Sequence, residues 1–268
     1  MTSDYALAHG THVTPEDGRC AMEWVSYLAN EPHGDEPICV SPVVRAICIA
    51  LNDSLEPAPR QRLRPYLART IGTADDGLDT ARAWMAMDWL IRVYTPTWLR
   101  RAHLDIPAGE LASLPTVDDA RTLGPALESL EAARRQARAA RAQAFGGARA
   151  IGWASAVAAG LTGRETAWTC AGAAAWAAAR VGVGELAGDR ARAAARATAG
   201  DAAAIAARGA RTATTRSAAR EAAREALGPT LEVLSQSALA LLDRMLPTVT
   251  LPVPADIARG TGLVPALA

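Results

Sequence analysis

The sequence predicts an all-α protein: a helical N-terminal domain, then an Ala-rich multi-helix region closed by a Leu-rich helix. Three observations carry that expectation. Residues 131–226 are about 40% alanine, the residue with the best helix propensity. Upstream, apolar residues recur at three- and four-residue spacing, the period of a helix face. No run alternates apolar and polar residues between turn signals as a strand does.

Each element follows in order. Residues 1–15 carry no periodic pattern and are expected to be mobile. A first helix is predicted over 17–29, with Ala21, Trp24, Val25 and Leu28 on one face. The turn-rich Glu31-Pro-His-Gly-Asp-Glu-Pro-Ile-Cys39 comes next. Ser41-Pro42 starts a second helix, because serine caps and proline fits the first turn without losing a hydrogen bond. Val44, Ile47, Leu51 and Leu55 share its inner face. A third helix over 60–69 ends before Gly72, which suits the left-handed stop. The fourth, over 78–94, is apolar on most sides (Trp84, Met87, Trp89, Leu90, Ile91) and belongs at the centre of its domain. Thr95-Pro96 repeats the cap-then-proline signal and predicts a separate short helix to Leu104. The helical domain is therefore expected over 16–106, with 107–115 as a linker that contains a short helical piece.

In the Ala-rich region, 116–246, glycine reads as punctuation. The expected breaks are Gly146-Gly147, Gly160 to Gly163, Gly182 to Gly184, and the pairs Gly188-Asp189 and Gly200-Asp201, where a helix stop meets a helix cap. Successive helices packed back and forth are expected between them. Alanine buries little area at about 25 cal/mol per Å², so such helices form easily and are hard to stabilise alone. The last helix, 230–246, differs: Leu231, Leu234, Ala238, Leu241 and Met245 keep 3-4 spacing, and Leu242 widens the stripe. Two heptads are too few for a free coiled coil, so the stripe is expected to dock on its own chain or on a copy. Residues 247–268 read as a Pro-containing tail.

Charge is uneven. Residues 1–130 hold 18 carboxylates and 11 arginines, 131–226 hold 7 and 15, and the balance is zero overall. The simplest expectation is that the acidic part docks on the basic part. All 28 basic residues are arginine, which fits a GC-rich coding sequence as well as any selection for guanidinium chemistry. Arg134, Arg138 and Arg141 share one helix face, and Arg216, Arg220 and Arg224 another. A single-strand nucleic-acid footprint would add stacking aromatics to such stripes. Trp153, Trp168 and Trp176 instead sit in the least charged stretches, so nucleic acid is possible but not favoured. The uncharged runs 150–163 and 166–179 fall short of the ~20 residues that span a bilayer. Four cysteines make no disulfide framework at this length. A cytoplasmic protein with reduced thiols is expected.

Chemistry concentrates in Cys20, Glu23, His33, Asp35 and Cys39, which are zinc-ligand types. The spacing offers neither Cys-x-x-Cys nor His-x-x-x-His, so no metal and no cofactor are expected. Cys20 with His33 could form a thiolate–imidazole pair, though no third group orients it. No P-loop, dinucleotide fingerprint, His-Glu-x-x-His or nucleophile elbow occurs.

The pattern resembles a family of uncharacterised actinobacterial proteins. The resemblance rests on Cys20-x-Met22-Glu23, Glu31-Pro32, Asp35-x-Pro37-x-Cys39, Asn52-Asp53, and the Ala/Arg/Trp-rich stretch ending in Ser237-Ala-Leu-Ala-Leu-Leu-Asp-Arg-Met245. It implies histidine at positions where this chain has Glu36 and Ser41, and it implies no known activity. The expected role is a non-catalytic assembly, scaffold or partner-binding protein that meets itself or another protein. The alternatives are an enzyme or metal-binding protein using the Cys20–Cys39 neighbourhood, and an Arg-stripe nucleic-acid binder.

Overall fold

In the computed structural model, residues 6–146, 150–168, 171–183, 186–208 and 215–248 are described, with side chains except at 150–154, 168 and 171. The tail beyond 248, Cys170, Gly147, Gly184 and the side chains of Trp153 and Trp168 lie outside the described residues. The described residues are 78% helical and include no strand, so the fold is all-α.

Caps start the first helices. Helix α1 (Ala21–Leu28) begins at Cys20, whose backbone N–H donates to the Glu23 carboxylate at 2.7 Å; a carboxylate three residues into a helix satisfies one of its orphan donors in this way. The Ser41 hydroxyl accepts from the Val43 and Val44 N–H groups and opens α2 (Pro42–Ser54). Helix α3 (Pro57–Arg60), a 3₁₀ turn and α4 (Arg64–Thr70) run nearly end to end, and the chain turns at Gly72, φ +80°. Val25, Val44, Ile47, Leu51, Leu63 and Leu67 of these elements are completely buried in the chain.

Thr95-Pro96 is not a helix start. Helix α5 (Asp79–Trp89) passes through a π turn at Leu90–Tyr94 directly into α6 (Thr95–Arg101). The Thr95 N–H bonds the Leu90 carbonyl five residues back, and its hydroxyl donates to the same carbonyl at 2.8 Å. The extra residue in this turn accommodates Pro96, which lacks an N–H and crowds the turn before it. Helix α7 (Asp105–Ala112) then occupies much of the stretch expected to be a linker.

Five long helices follow: α8 (Ala120–Gly146), α9 (Ala150–Trp168), α10 (Ala171–Gly182), α11 (Leu186–Ala206) and α12 (Arg216–Met245). Helix α10 ends at Gly182, but Gly160 and Gly163 lie inside α9, and both Gly-Asp pairs lie inside α11. Close approach accounts for two of these. A Cβ on Gly163 would sit 2.7 Å from the Ala203 carbonyl oxygen, and one on Gly188 would sit 2.5 Å from the Val183 carbonyl oxygen. Glycine at these two positions lets another backbone come close instead of ending a helix. The Leu helix is also longer than expected, since Pro229 lies inside α12. Arg101 Nη2 donates to the Ala226 carbonyl at 3.0 Å, in the turn that the proline opens.

Helix α11 lies between α8 and α9 and against α6; α9 also packs on α12, and α10 seats on α2 and α5. One apolar cluster runs from Leu7 to Leu246. Buried Arg82 joins α5 to the end of α12, bonding the Met245 carbonyl, the Thr73 carbonyl and both oxygens of Asp76. The acidic-on-basic expectation meets a reversed pattern at α12. There, Arg62 and Arg69 from the N-terminal helices pair with Glu232 and Asp243.

Candidate functional site

Residues 6–14, expected to be mobile, are instead laid along a groove made by α1, α2 and the 3₁₀ turn after α3. Leu7 is buried at its start. Gln61 reads both backbone groups of Leu7, accepting from its N–H at 2.8 Å and donating to its carbonyl at 3.1 Å. Asn52 donates to the Ala8 carbonyl and accepts from the Ala21 N–H, so one amide bridges the strap and α1. The Ala8 N–H reaches the Arg19 carbonyl, and the Gly10 N–H reaches Asp53. Thr11 donates to Asp35 at 2.7 Å.

Glu23 closes the far end. It is fully buried, and its carboxylate accepts from the His12 backbone N–H at 2.6 Å and from Cys20 N–H. His12 Nδ1 lies 2.8 Å from the same carboxylate; a carboxylate only accepts, so Nδ1 carries the proton. Burial alone would raise the Glu23 carboxyl, but the His12 and Cys20 N–H groups and the His12 ring outweigh it and hold the acid below its usual range. His33 Nε2 donates to the His12 carbonyl at 3.0 Å. The cluster therefore hydrogen-bonds the backbone of residues 7–12 at several points.

Its five sequence candidates divide. Glu23, His33 and Asp35 converge on the strap; Cys20 and Cys39 do not act on it through their thiols. Burial pushes both thiols up to about 12, with Glu31 adding to the effect at Cys39, so neither is a thiolate at neutral pH. His33 bonds His12, and no bond joins it to Cys20. Glu31 instead folds the loop, accepting from the Ile38 and Cys39 N–H groups. Among the described residues, no three His, Cys, Asp or Glu side chains are placed to hold a metal.

The Leu stripe faces inward. Leu234, Leu241, Leu242 and Met245 are buried within this chain and offer no surface to a partner, and Leu231 is half-buried against the same cluster. Arg134 and Arg138 are exposed on α8, but Arg141 turns inward, with Nη1 3.6 Å from the buried Asp201. Arg216, Arg220 and Arg224 are exposed on α12, and Arg224 pairs with Glu221 at 3.4 Å. Helices α9 and α11 separate the two stripes. Among the described side chains, Trp24, Trp89 and Trp98 are buried and Trp84 and Trp176 half-buried. No helix among the described residues is long and apolar enough to cross a membrane.

Three groups that carry the groove, His12, Asn52 and Gln61, lack a local sequence signal for that role. Asn52-Asp53 was marked by family resemblance alone. The Cys20-x-x-Glu23 spacing is a capping-box signature and could have located the start of α1. No known family matches the chain, and no curated protein or solved structure is significantly similar to it.

Proposed function

We propose that this is a non-catalytic helical binding protein, and that its site is the groove now filled by residues 6–12. The observation that supports this reading is the way Gln61, Asn52, Asp53 and Glu23 hydrogen-bond a distant backbone segment. Peptide recognition by an extended strand uses main-chain bonds for affinity and an anchoring pocket for selectivity; Leu7 fills that pocket here. The thiols are protonated and the acids are engaged in binding, which leaves the neighbourhood without a prepared nucleophile.

The test is competition by a synthetic peptide spanning residues 5–14, added to isotopically labelled full-length protein. A short tether gives the chain's own strap an effective concentration of order millimolar, so the peptide must be supplied in that range. Amide signals of the chain's own displaced strap, Leu7, Gly10 and His12, should shift with saturation. A peptide carrying Leu7→Asp should leave them unmoved. Equal shifts from both peptides, or none from either, would refute the groove as a binding site.

A further inference from the structure

We infer that the groove takes residues 6–12 of a second copy of this chain, so that two protomers exchange straps in a symmetric dimer. This rests on the groove reading above and names its occupant. A second copy carries the same segment, so Leu7, Gly10 and His12 of the exchanged strap would restore the bonds to Gln61, Asp53 and Glu23.

Three features support exchange. The groove walls have their own cores: Val25, Val44, Ile47, Leu51 and Leu67 are buried by contacts among the helices, while the strap contributes one deeply buried large side chain, Leu7. Removing the strap therefore need not unfold the walls.

An emptied groove, however, is costly. Vacating it breaks the bonds that Gln61, Asn52, Asp53 and Glu23 make to the strap and exposes the buried Leu7 and the apolar surface beneath it to water. Replacing one strap by an identical one restores every bond. Exchange is thus the route by which the strap can leave and the groove stay satisfied.

The third feature is the connection. Residues 13–17 are all exposed, with Val13 at 92%, and their side-chain bonds are internal, from Thr14 to Asp17. Gly18 follows at φ +124°, a backbone state that only glycine adopts readily. Straightening this turn gives up one local hydrogen-bonded turn, and glycine's conformational freedom lets the chain change direction there. Exchanging an identical element in this way gives an isologous dimer. The tether favours the closed monomer in dilute solution, so the dimer fraction should rise with concentration.

The experiment uses full-length protein and two single variants, Thr11→Cys and Asp35→Cys, whose side chains meet across the groove; the Thr11 hydroxyl donates to the Asp35 carboxylate at 2.7 Å. The two are mixed at high concentration, incubated and mildly oxidised. A disulfide joining position 11 of one chain to position 35 of another, mapped by mass spectrometry, should appear and grow with protein concentration. The double variant in one chain should close the same bridge internally when dilute. No interchain bridge in the mixture, with the internal bridge closing normally, overturns exchange. Failure of the internal bridge overturns the placement of the strap itself. If the peptide of the previous section binds but no interchain bridge forms, the groove reading stands and the second copy is excluded as its occupant.

Discussion

The N-terminal helices and the Ala-rich helices solve the same packing problem in opposite ways. The first bury large side chains, among them Trp89, Trp98, Ile47, Leu51 and Leu63. The second bury methyls: Ala191, Ala194, Ala195, Ala199, Ala202 and Ala203 along α11. Large side chains hold helices about 8–10 Å apart and stabilise through area. Alanine and glycine let backbones approach closely, and little area is removed from water per residue. Helix propensity and long polar anchors must then carry more of the load. Arg82 and Arg101, both reaching from the N-terminal region to carbonyls of α12, are such anchors.

The largest effect should come from Leu234→Asp. Leu234 is 1% exposed within the chain, so the variant buries a carboxylate without a partner, costing several kcal/mol. Helicity and melting temperature should fall together while the mass by light scattering stays unchanged. A fall in mass with helicity retained would place the stripe between chains and break the account of α12.

Arg82→Ala should follow, at about 3–5 kcal/mol by chemical denaturation. It removes a guanidinium that is 2% exposed and strips partners from Asp76 and the Met245 and Thr73 carbonyls. A loss under about 1 kcal/mol would mean that the two regions do not depend on this anchor. Next, the two cores should fail in opposite directions. Leu51→Ala should cost about 2–5 kcal/mol through a cavity, whereas Ala199→Leu should cost about 1–3 kcal/mol through overpacking. If Ala199→Leu is neutral or stabilising, the Ala-rich helices have slack that this comparison denies.

Acid should loosen the strap before the cores. The Glu23 carboxyl is held below its usual range in the folded chain, so the unfolded state binds its proton first as pH falls. Its contribution is present at neutral pH and is lost as pH drops below the ordinary carboxylate range through the folded value. Hydrogen exchange at Leu7 and His12 should accelerate in that window while Met87 in α5 stays protected, and Glu23→Gln should flatten the dependence. Equal acceleration at both places would make the strap part of the global core. The smallest effect should be Glu232→Gln. Its pairing with Arg62 is nearly half-exposed on both sides, so a loss below about 1 kcal/mol is expected by denaturation.

Legibility in the sequence follows the range of the interactions. Ser41-Pro42 and the Val44, Ile47, Leu51 face were readable because caps and helical period are local, and the structure places both as expected. Glycine misled because its two uses look alike in one dimension. At Gly182 the helix ends, while at Gly163 the helix continues and another backbone crosses it. Thr95-Pro96 misled for a related reason: a π turn spends one extra residue where a break was expected. At the groove, Glu23, His33 and Asp35 were recognisable as chemically able groups, but their common target was not. His12 sits 11 residues from Glu23, and Gln61 lies 54 from Leu7; no periodicity links an extended segment to side chains that far along the chain.

The contrast between a side-chain core and a close-approach core is tested most directly by one pair of substitutions measured in the same denaturation experiment. Gly109→Ala lies in α7, where an added Cβ meets nothing within 4 Å; it should stabilise the protein by about 0.5–1 kcal/mol, the ordinary benefit of alanine in a helix. Gly163→Ala carries the same intrinsic benefit, but its Cβ would lie 2.7 Å from the Ala203 carbonyl oxygen, so the account predicts a net loss of stability. If Gly163→Ala stabilises the protein as much as Gly109→Ala does, the α9–α11 backbones are not in close contact and the account of the Ala-rich core is contradicted.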